Sequence, residues 1–362
     1  MLQKMNKLIG LAIVVSAAGC RSGHPAASPA APAPGGTVTA GAARPSGPYQ
    51  VTSIPLPGGS PDGVFLDYLA FDPATGLVWV PAGSTGSVDV LDTATRKLTR
   101  IEGFQTREME RNGRKRVVGP SSVTIGPGVV YVGNRGDSSV CAMDARVPAR
   151  GACGTLDAMP DGIAYVAATN EVWVTTPRDK SLRILDGKTL AQKARLAFDG
   201  EPEGFAVDGT RGRFYTNLED KDLTLAIDLK SHETVATWHP SCGEDGPHGL
   251  RLAEPDGLLF VACSAKAEAL DVAHAGAVVG TIDTGDGVDD LDYASATRTL
   301  YIAAAKAGTL TIAAVDAKGG LTLADKVPTK QGGRNGVVDA HGTVYVADGP
   351  SSELLVVASA PR

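Results

Sequence analysis

Five residues able to carry charge or move protons share one spacing. Asp67, Asp161, Glu203, His248 and Asp289 each lie twelve residues ahead of an aromatic, namely Trp79, Trp173, Tyr215, Phe260 and Tyr301. Asp290 adds a further carboxylate, and Ser121, Arg334 and Asn335 hold similar places ahead of Tyr131 and Tyr345. Three of them sit in one small motif: Pro160-Asp161-Gly162, Pro202-Glu203-Gly204 and Pro247-His248-Gly249. Oxygen ligands converging on an axis suit Ca²⁺ or Mg²⁺, with Asp161, Glu203, His248 and Asp289 as the expected donors. An imidazole beside a carboxylate suits general-base work, which makes His248 and Glu203 the catalytic candidates, neither of them firm. The bland reading stands beside this one. Repetition is what a scaffold role predicts, because a catalytic site needs one copy of each residue. For the acidic positions, structural pinning of neighbouring repeats therefore leads. His248 breaks the repeat and is the better functional candidate. Arg334, a lone cation facing acidic neighbours, either binds an anionic ligand or balances charge.

The elements that position these residues repeat along the chain. The apolar segments LVWV (77–80), VVYV (129–132), EVWV (171–174), RFYT (213–216), LLFV (258–261), TLYI (299–302) and TVYV (343–346) share one aromatic column. Each reads as a strand covered on both faces, followed by a Gly/Ser/Thr turn and another strand. A second column is Asp. Asp92, Asp144, Asp186 and Asp228 each lie 13 residues after the aromatic, with Asp271 and Asp316 at 11 and 15. These are expected to receive turn N–H groups rather than to do chemistry. From Trp79 to Tyr345 is 266 residues in six steps, about 44 per step, the period of a four-stranded propeller blade. The fold expected is all-β: one seven-bladed β-propeller over residues 49–362 rather than two domains. Its inner strands would place the ring Asp67, Asp161, Glu203, His248, Asp289, Asp290, Arg334 and Asn335 at one mouth of the central channel.

The ends of the chain fit this scheme. Met1–Gly19 carries Lys4 and Lys7 and then the apolar run Leu8–Ala18, too short to span a bilayer and suited to a signal-peptide core. Ala17-Ala18-Gly19 before Cys20 resembles a bacterial lipobox, with Ala17 where that motif usually has Leu. The resemblance implies lipidation of Cys20 and attachment to the cell envelope, at the periplasmic face or outer membrane. The alternative is an ordinary secretory signal with a coincidental Cys. Residues 20–48, rich in Ala, Pro, Gly and Ser, cannot bury enough surface to order themselves and read as a tether. The last repeat has room for only three strands (337–340, 343–348, 353–358), and residues 49–56 alternate like a fourth. The N-terminal strand is therefore expected to complete the seventh blade and close the ring.

Residues 104–118 (FQTREMERNGRKRVV) carry five basic and two acidic charges and read as an extended, solvated outer-strand hairpin. Arg111–Arg116 is a small basic patch, but the chain is net −6, about −8 without Lys4 and Lys7, which repels phosphate backbones. Nucleic acid is not an expected partner. Four cysteines besides Cys20 allow three disulfide pairings, of which Cys141–Cys153 and Cys242–Cys263 is the local one. No Cys/His spacing suggests zinc, and no G-x-S-x-G, phosphate-binding glycine loop or haem CxxCH occurs.

The pattern P-D/E-G…V-Y-V…S-V-x-V-x-D, seen in Pro160–Asp186 and Asp67–Asp92, resembles the YVTN/YncE-like seven-bladed propellers within the wider NHL- and lactonase-type group. The resemblance covers about residues 50–362 and implies an exported binding or scaffold protein. Its ligand would be a small molecule, a glycan or a protein at the channel mouth, and the chain is expected to be a monomer. One family member is similar to a DNA binder, but no motif residue here carries that role. The alternative is a metal-dependent hydrolase or lyase resembling propeller lactonases, in which a divalent cation polarises a carbonyl and activates water. Pro247-His248-Gly249…Pro255-Asp256-Gly257 resembles a lactonase-type blade. The Asn ligands of calcium-dependent lactonases have no counterpart, since Asn170 and Asn217 are expected in or beside second strands, away from the mouth.

Overall fold

In the computed structural model the described residues are 48–111, 113–147 and 149–360. The expected signal segment 1–19, the lipidation of Cys20 and the tether up to residue 47 lie outside them. Among the described residues no helix is long and apolar enough to cross a membrane.

Seven four-stranded antiparallel sheets follow one another along the chain. Blade four shows the unit: inner strand Pro202–Asp208, then Arg213–Leu218, Leu223–Asp228 and outer strand Thr234–Trp238. The second strands bury both faces because sheets press on them from either side, and the aromatic column lies between blades. Trp79, Trp173 and Phe260 are completely buried and Tyr131, Tyr215, Tyr301 and Tyr345 nearly so. Ring contacts such as Trp173–Phe214 (4.8 Å) and Phe260–Tyr293 (4.9 Å) join one blade to the next. Outer strands such as Gln192–Ala197 alternate instead, with one face in solvent.

The ring closes as the sequence suggests. Tyr49–Pro55 pairs along its whole length with Glu353–Ser359, completing the blade built from Gly333–Val338 and Val344–Asp348. The Asp column also has its expected role. Asp92 accepts from the backbone N–H groups of Ala94 and Thr95, Asp186 from Lys188 and Thr189, and Asp228 from Lys230 and Ser231. Asp144, Asp271 and Asp316 bind turn N–H groups in the same way. These hydrogen bonds stabilise the charged form, and they lower the carboxyls of Asp92, Asp144, Asp186 and Asp228.

The basic insertion departs from its expectation. Blade one already ends in its outer strand Leu98–Ile101, and Arg107–Arg111 pairs with Arg114–Val118 as a separate two-stranded hairpin. It lies beside the channel mouth: Arg116 stacks over Phe65 (5.0 Å) and Arg107 donates to the carbonyl of Arg135 (3.1 Å).

Both local disulfides are present. Cys141–Cys153 joins the third and fourth strands of blade two, and Cys242–Cys263 ties the end of a second strand to the chain ahead of blade five. Each closes a short loop, worth about 3 kcal/mol if the loop is otherwise free. Replacing Cys141 and Cys153 by Ala is expected to lower unfolding free energy by about 2–4 kcal/mol, read from denaturant melts. Unchanged melts would show that the outer strand of blade two is held by its other contacts.

Candidate functional site

Five of the inner strands share an irregularity at the mouth. Pairing slips between Pro120 and Ser122, Pro202 and Phe205, Pro247 and Leu250, Val288 and Leu291, and Gly333 and Gly336. Such bulges re-aim side chains, here the residues of the acidic column. The glycine of the Pro-x-Gly motif has a steric cause. A Cβ on Gly204 would come within 2.2 Å of the His248 carbonyl, and one on Gly249 within 2.1 Å of Asp290 Oδ1. Neighbouring inner strands approach so closely that only glycine fits.

The mouth residues do converge, and most are neutralised from within. Arg135, 7% exposed, donates to Asp67 Oδ2 at 2.9 Å and pairs with Asp161. Its guanidinium also lies over the ring of Phe65 at 4.9 Å. Arg334 reaches Asp289 Oδ1 at 3.2 Å and Asp67 Oδ1 at 3.6 Å, and Asn335 donates to Asp67 Oδ1 at 3.0 Å. The Asp289 carboxylate, with Asp67 and Glu203, raises Arg334 against the cost of its burial. Arg334 thus meets two carboxylates of the ring. Glu203 has no cation so close. Burial, with Glu219, Asp289 and Asp67 nearby, pushes its carboxyl well above the usual range, and the phenol of Tyr68 lies 3.5 Å from Oε1.

His248 stands apart from this clasp. Nε2 is 3.2 Å from Ser264 Oγ, and Nδ1 is 3.2 Å from Glu219 Oε1, close but not aligned as a well-formed hydrogen bond. Burial favours the neutral ring, but Glu219, with Asp289 and Asp245 beyond it, outweighs burial and raises the imidazole. Asn217 is nearer the mouth than expected: it donates to the His248 carbonyl at 2.6 Å and accepts from Thr224 at 2.7 Å.

The donor set does not fit a hard divalent cation. Asp67, Asp161 and Asp289 face guanidinium groups, and burial raises the Glu203 carboxyl well above its usual range. Among the described residues no group of three or more His, Cys, Asp or Glu side chains is arranged to hold a metal ion.

Asp290 turns away from the ring into the channel beneath it. There a cavity of about 1030 Å³ runs from Tyr68 and Phe205 to the turns at 295–297 and 340–342, at the far ends of the inner strands. Its lining combines apolar side chains (Leu69, Val123, Ile163, Phe205, Leu250) with Arg251, Asp290 and Asp292. Arg251 Nε lies 2.9 Å from Asp292 Oδ1, and Asp292 also accepts from the backbone N–H groups of Tyr293 and Val338. The Arg251 side chain is enclosed by protein yet 39% exposed, because it faces the cavity.

The residues missed in the sequence share a signal. Arg135, Glu219 and Ser264 each stand four residues after the column aromatic, where other repeats have Gly83, Pro177, Ala305 and Gly349. That column caps the second strand at the mouth face and supplies the partners of the acidic ring. Arg251 and Asp292 lie lower on inner strands and break no repeat visible in the sequence.

No protein-family model and no curated protein matches the chain. Many solved structures do. Virginiamycin B lyase from Staphylococcus aureus is 12% identical with a TM-score of 0.65, over 86% of this chain and 99% of that one. Hydrazine synthase from Kuenenia stuttgartiensis is 15% identical with a TM-score of 0.68, over 83% and 96%. The β-propeller domain of Cps50 (Swd1) from Myceliophteria thermophila is 11% identical with a TM-score of 0.67, over 87% and 100%. The likeness is one of fold. The chain is a seven-bladed β-propeller, and at these identities nothing further follows from its neighbours.

Burial, with Asp289 and Asp292 adding to it, pushes the Asp290 carboxyl up to about 7 against the pull of Arg251. A carboxyl whose folded value lies above its unfolded one loses stability as pH rises from about 4 to about 7, and the loss is complete above that. Asp290→Asn is therefore expected to gain on the order of 2–4 kcal/mol over the wild type at pH 8 and nothing at pH 4. Urea melts at both pH values test this, and parallel profiles would contradict it.

Proposed function

We propose that this chain is an exported, lipid-anchored binding protein of the bacterial cell envelope that holds a small amphipathic acid in the channel cavity. The observation that carries the reading is Arg251: a guanidinium facing about 1030 Å³ of space whose lining also includes apolar side chains. Only Nε is paired, to Asp292, and among the described residues the two Nη groups have no acceptor. Asp292 also accepts one backbone N–H on each oxygen, and Asp290 turns Oδ1 to the backbone N–H of Leu291 at 2.9 Å. A free fork of N–H donors is a receptor for a carboxylate or similar anion. The apolar side chains then take the chain or ring attached to it. The two disulfides fit an oxidising compartment, and the lipobox-like segment before Cys20 fits a membrane anchor.

A metal-dependent hydrolase or lyase at the mouth is the weaker reading, since guanidinium groups occupy most of the carboxylates it would use. The test is calorimetric titration of the exported chain with decanoate and decanol. Decanoate is expected to bind, and Arg251→Gln to weaken it at least about tenfold while leaving decanol unchanged. Ala70→Trp, which fills the cavity, is expected to abolish both. Decanoate binding indifferent to Ala70→Trp would move the ligand out of the channel. Binding of Ca²⁺ that His248→Ala removes would restore the mouth as a metal site.

A further inference from the structure

Glu219, His248 and Ser264 form a chain of contacts at the mouth that the charge clasp does not use. They come from three elements of blades four and five: the turn after Arg213–Leu218, the inner strand Pro247–Ala253, and the turn after Leu258–Cys263. Ser264 Oγ is 3.2 Å from His248 Nε2, and Glu219 Oε1 is 3.2 Å from Nδ1 on the other side of the ring. A hydroxyl on one imidazole nitrogen and a carboxylate on the other is the arrangement that activates a serine nucleophile. We propose that Ser264 is a nucleophile for ester hydrolysis, with His248 as its base and Glu219 holding the imidazole.

The surroundings favour a set position. Asn217 fixes the His248 main chain from one side. The Cys242–Cys263 disulfide ends at the residue before Ser264. The Ser264 carbonyl accepts from Gly287 and Val288 at 2.8 and 3.0 Å, so the Ser264–Ala265 peptide plane is held. In a trans peptide the N–H points opposite to the carbonyl, which turns the Ala265 N–H away from blade six. Among the described residues neither the Ser264 N–H nor the Ala265 N–H has an acceptor. In four other repeats the N–H of the residue at the Ser264 position is used: Gly83, Arg135, Glu219 and Ala305 donate to backbone carbonyls. Two unused amides beside a serine hydroxyl are donors for an oxyanion.

The substrate class is a small carboxylic ester, because the site lies open at the rim rather than in a deep pocket. Ser264 Oγ attacks the acyl carbon and gives its proton to His248 Nε2, while the amides receive the oxyanion. Collapse breaks the ester bond, and the leaving alcohol takes that proton. Water, deprotonated by His248, then cleaves the acyl-serine, so ester and water yield acid and alcohol with Ser264 restored. The competing role for the same contacts is a tie between blades four and five.

The experiment is labelling of the exported chain with a fluorophosphonate probe, located by peptide mass, beside hydrolysis of p-nitrophenyl acetate. The result expected is one adduct on Ser264 and turnover that falls about 10³-fold in Ser264→Ala. Glu219→Gln is expected to lower kcat about tenfold or more with little change in KM. Thermal melts check that Ser264→Ala, a small change in a half-buried turn, remains folded. An adduct elsewhere, no adduct, or equal hydrolysis by wild type and Ser264→Ala would overturn the proposal and leave the contacts as an inter-blade tie. Decanoate binding in the channel is unaffected by either outcome.

Discussion

Carboxylates that converge on one axis repel one another and lose their water, and the mouth of this ring is stable only because cations meet them there. Arg135 bridges Asp67 and Asp161, and Arg334 bridges Asp67 and Asp289. Asp67 is the shared partner, with Asn335 as a third donor. Blades one, two, three, six and seven are thus tied through one partly buried network, in which the desolvation cost of its buried members is offset only while the others remain. Among the described residues Glu203 has no ion pair with a guanidinium, and burial raises its carboxyl well above the usual range. The clasp is absent from the sector between blades four and five, where His248 meets Glu219 and Ser264, and the cavity lies below the mouth.

Close approach at the mouth demands matching backbone. Glycine follows the charged residue in the Pro-x-Gly motifs because the next inner strand lies against it at Gly204 and Gly249. The bulges at the same level turn adjacent residues to different duties, so that Asp289 meets Arg334 while Asp290 lines the cavity. Ring closure by Tyr49–Pro55 then leaves the last blade with four strands like the rest.

Much of this was legible in the residues because a blade is a local unit. The aromatic column and the turn-capping Asp column depend on contacts within about one repeat, so their spacing survives in the sequence. The two disulfides are local as well, joining residues 12 and 21 apart. What could not be read are contacts between blades. Arg135 meets Asp67 across 68 residues, and Asn335 meets it across 268, pairings fixed by ring geometry alone. The spacing marks the acidic ring and Arg334 beside it, but not Arg135, which sits in a turn column that is mostly Gly, Pro and Ala. The basic hairpin at 107–118 differs from its expected place for the same reason: its charge suits solvent, while its contacts with Phe65 and Arg135 hold it at the mouth.

Arg135 serves the mouth as an internal counter-ion to Asp67 and Asp161. A double-mutant cycle between Arg135→Met and Asp161→Asn, read by urea unfolding at pH 7, tests it most directly. Removing Arg135 alone leaves buried carboxylates unpaired and is expected to cost about 3–5 kcal/mol. Adding Asp161→Asn should recover part of that loss, giving a coupling energy of about 1–3 kcal/mol. If Arg135→Met is as stable as the wild type, or the two changes simply add, the mouth is not held by this clasp and its carboxylates are free for a ligand.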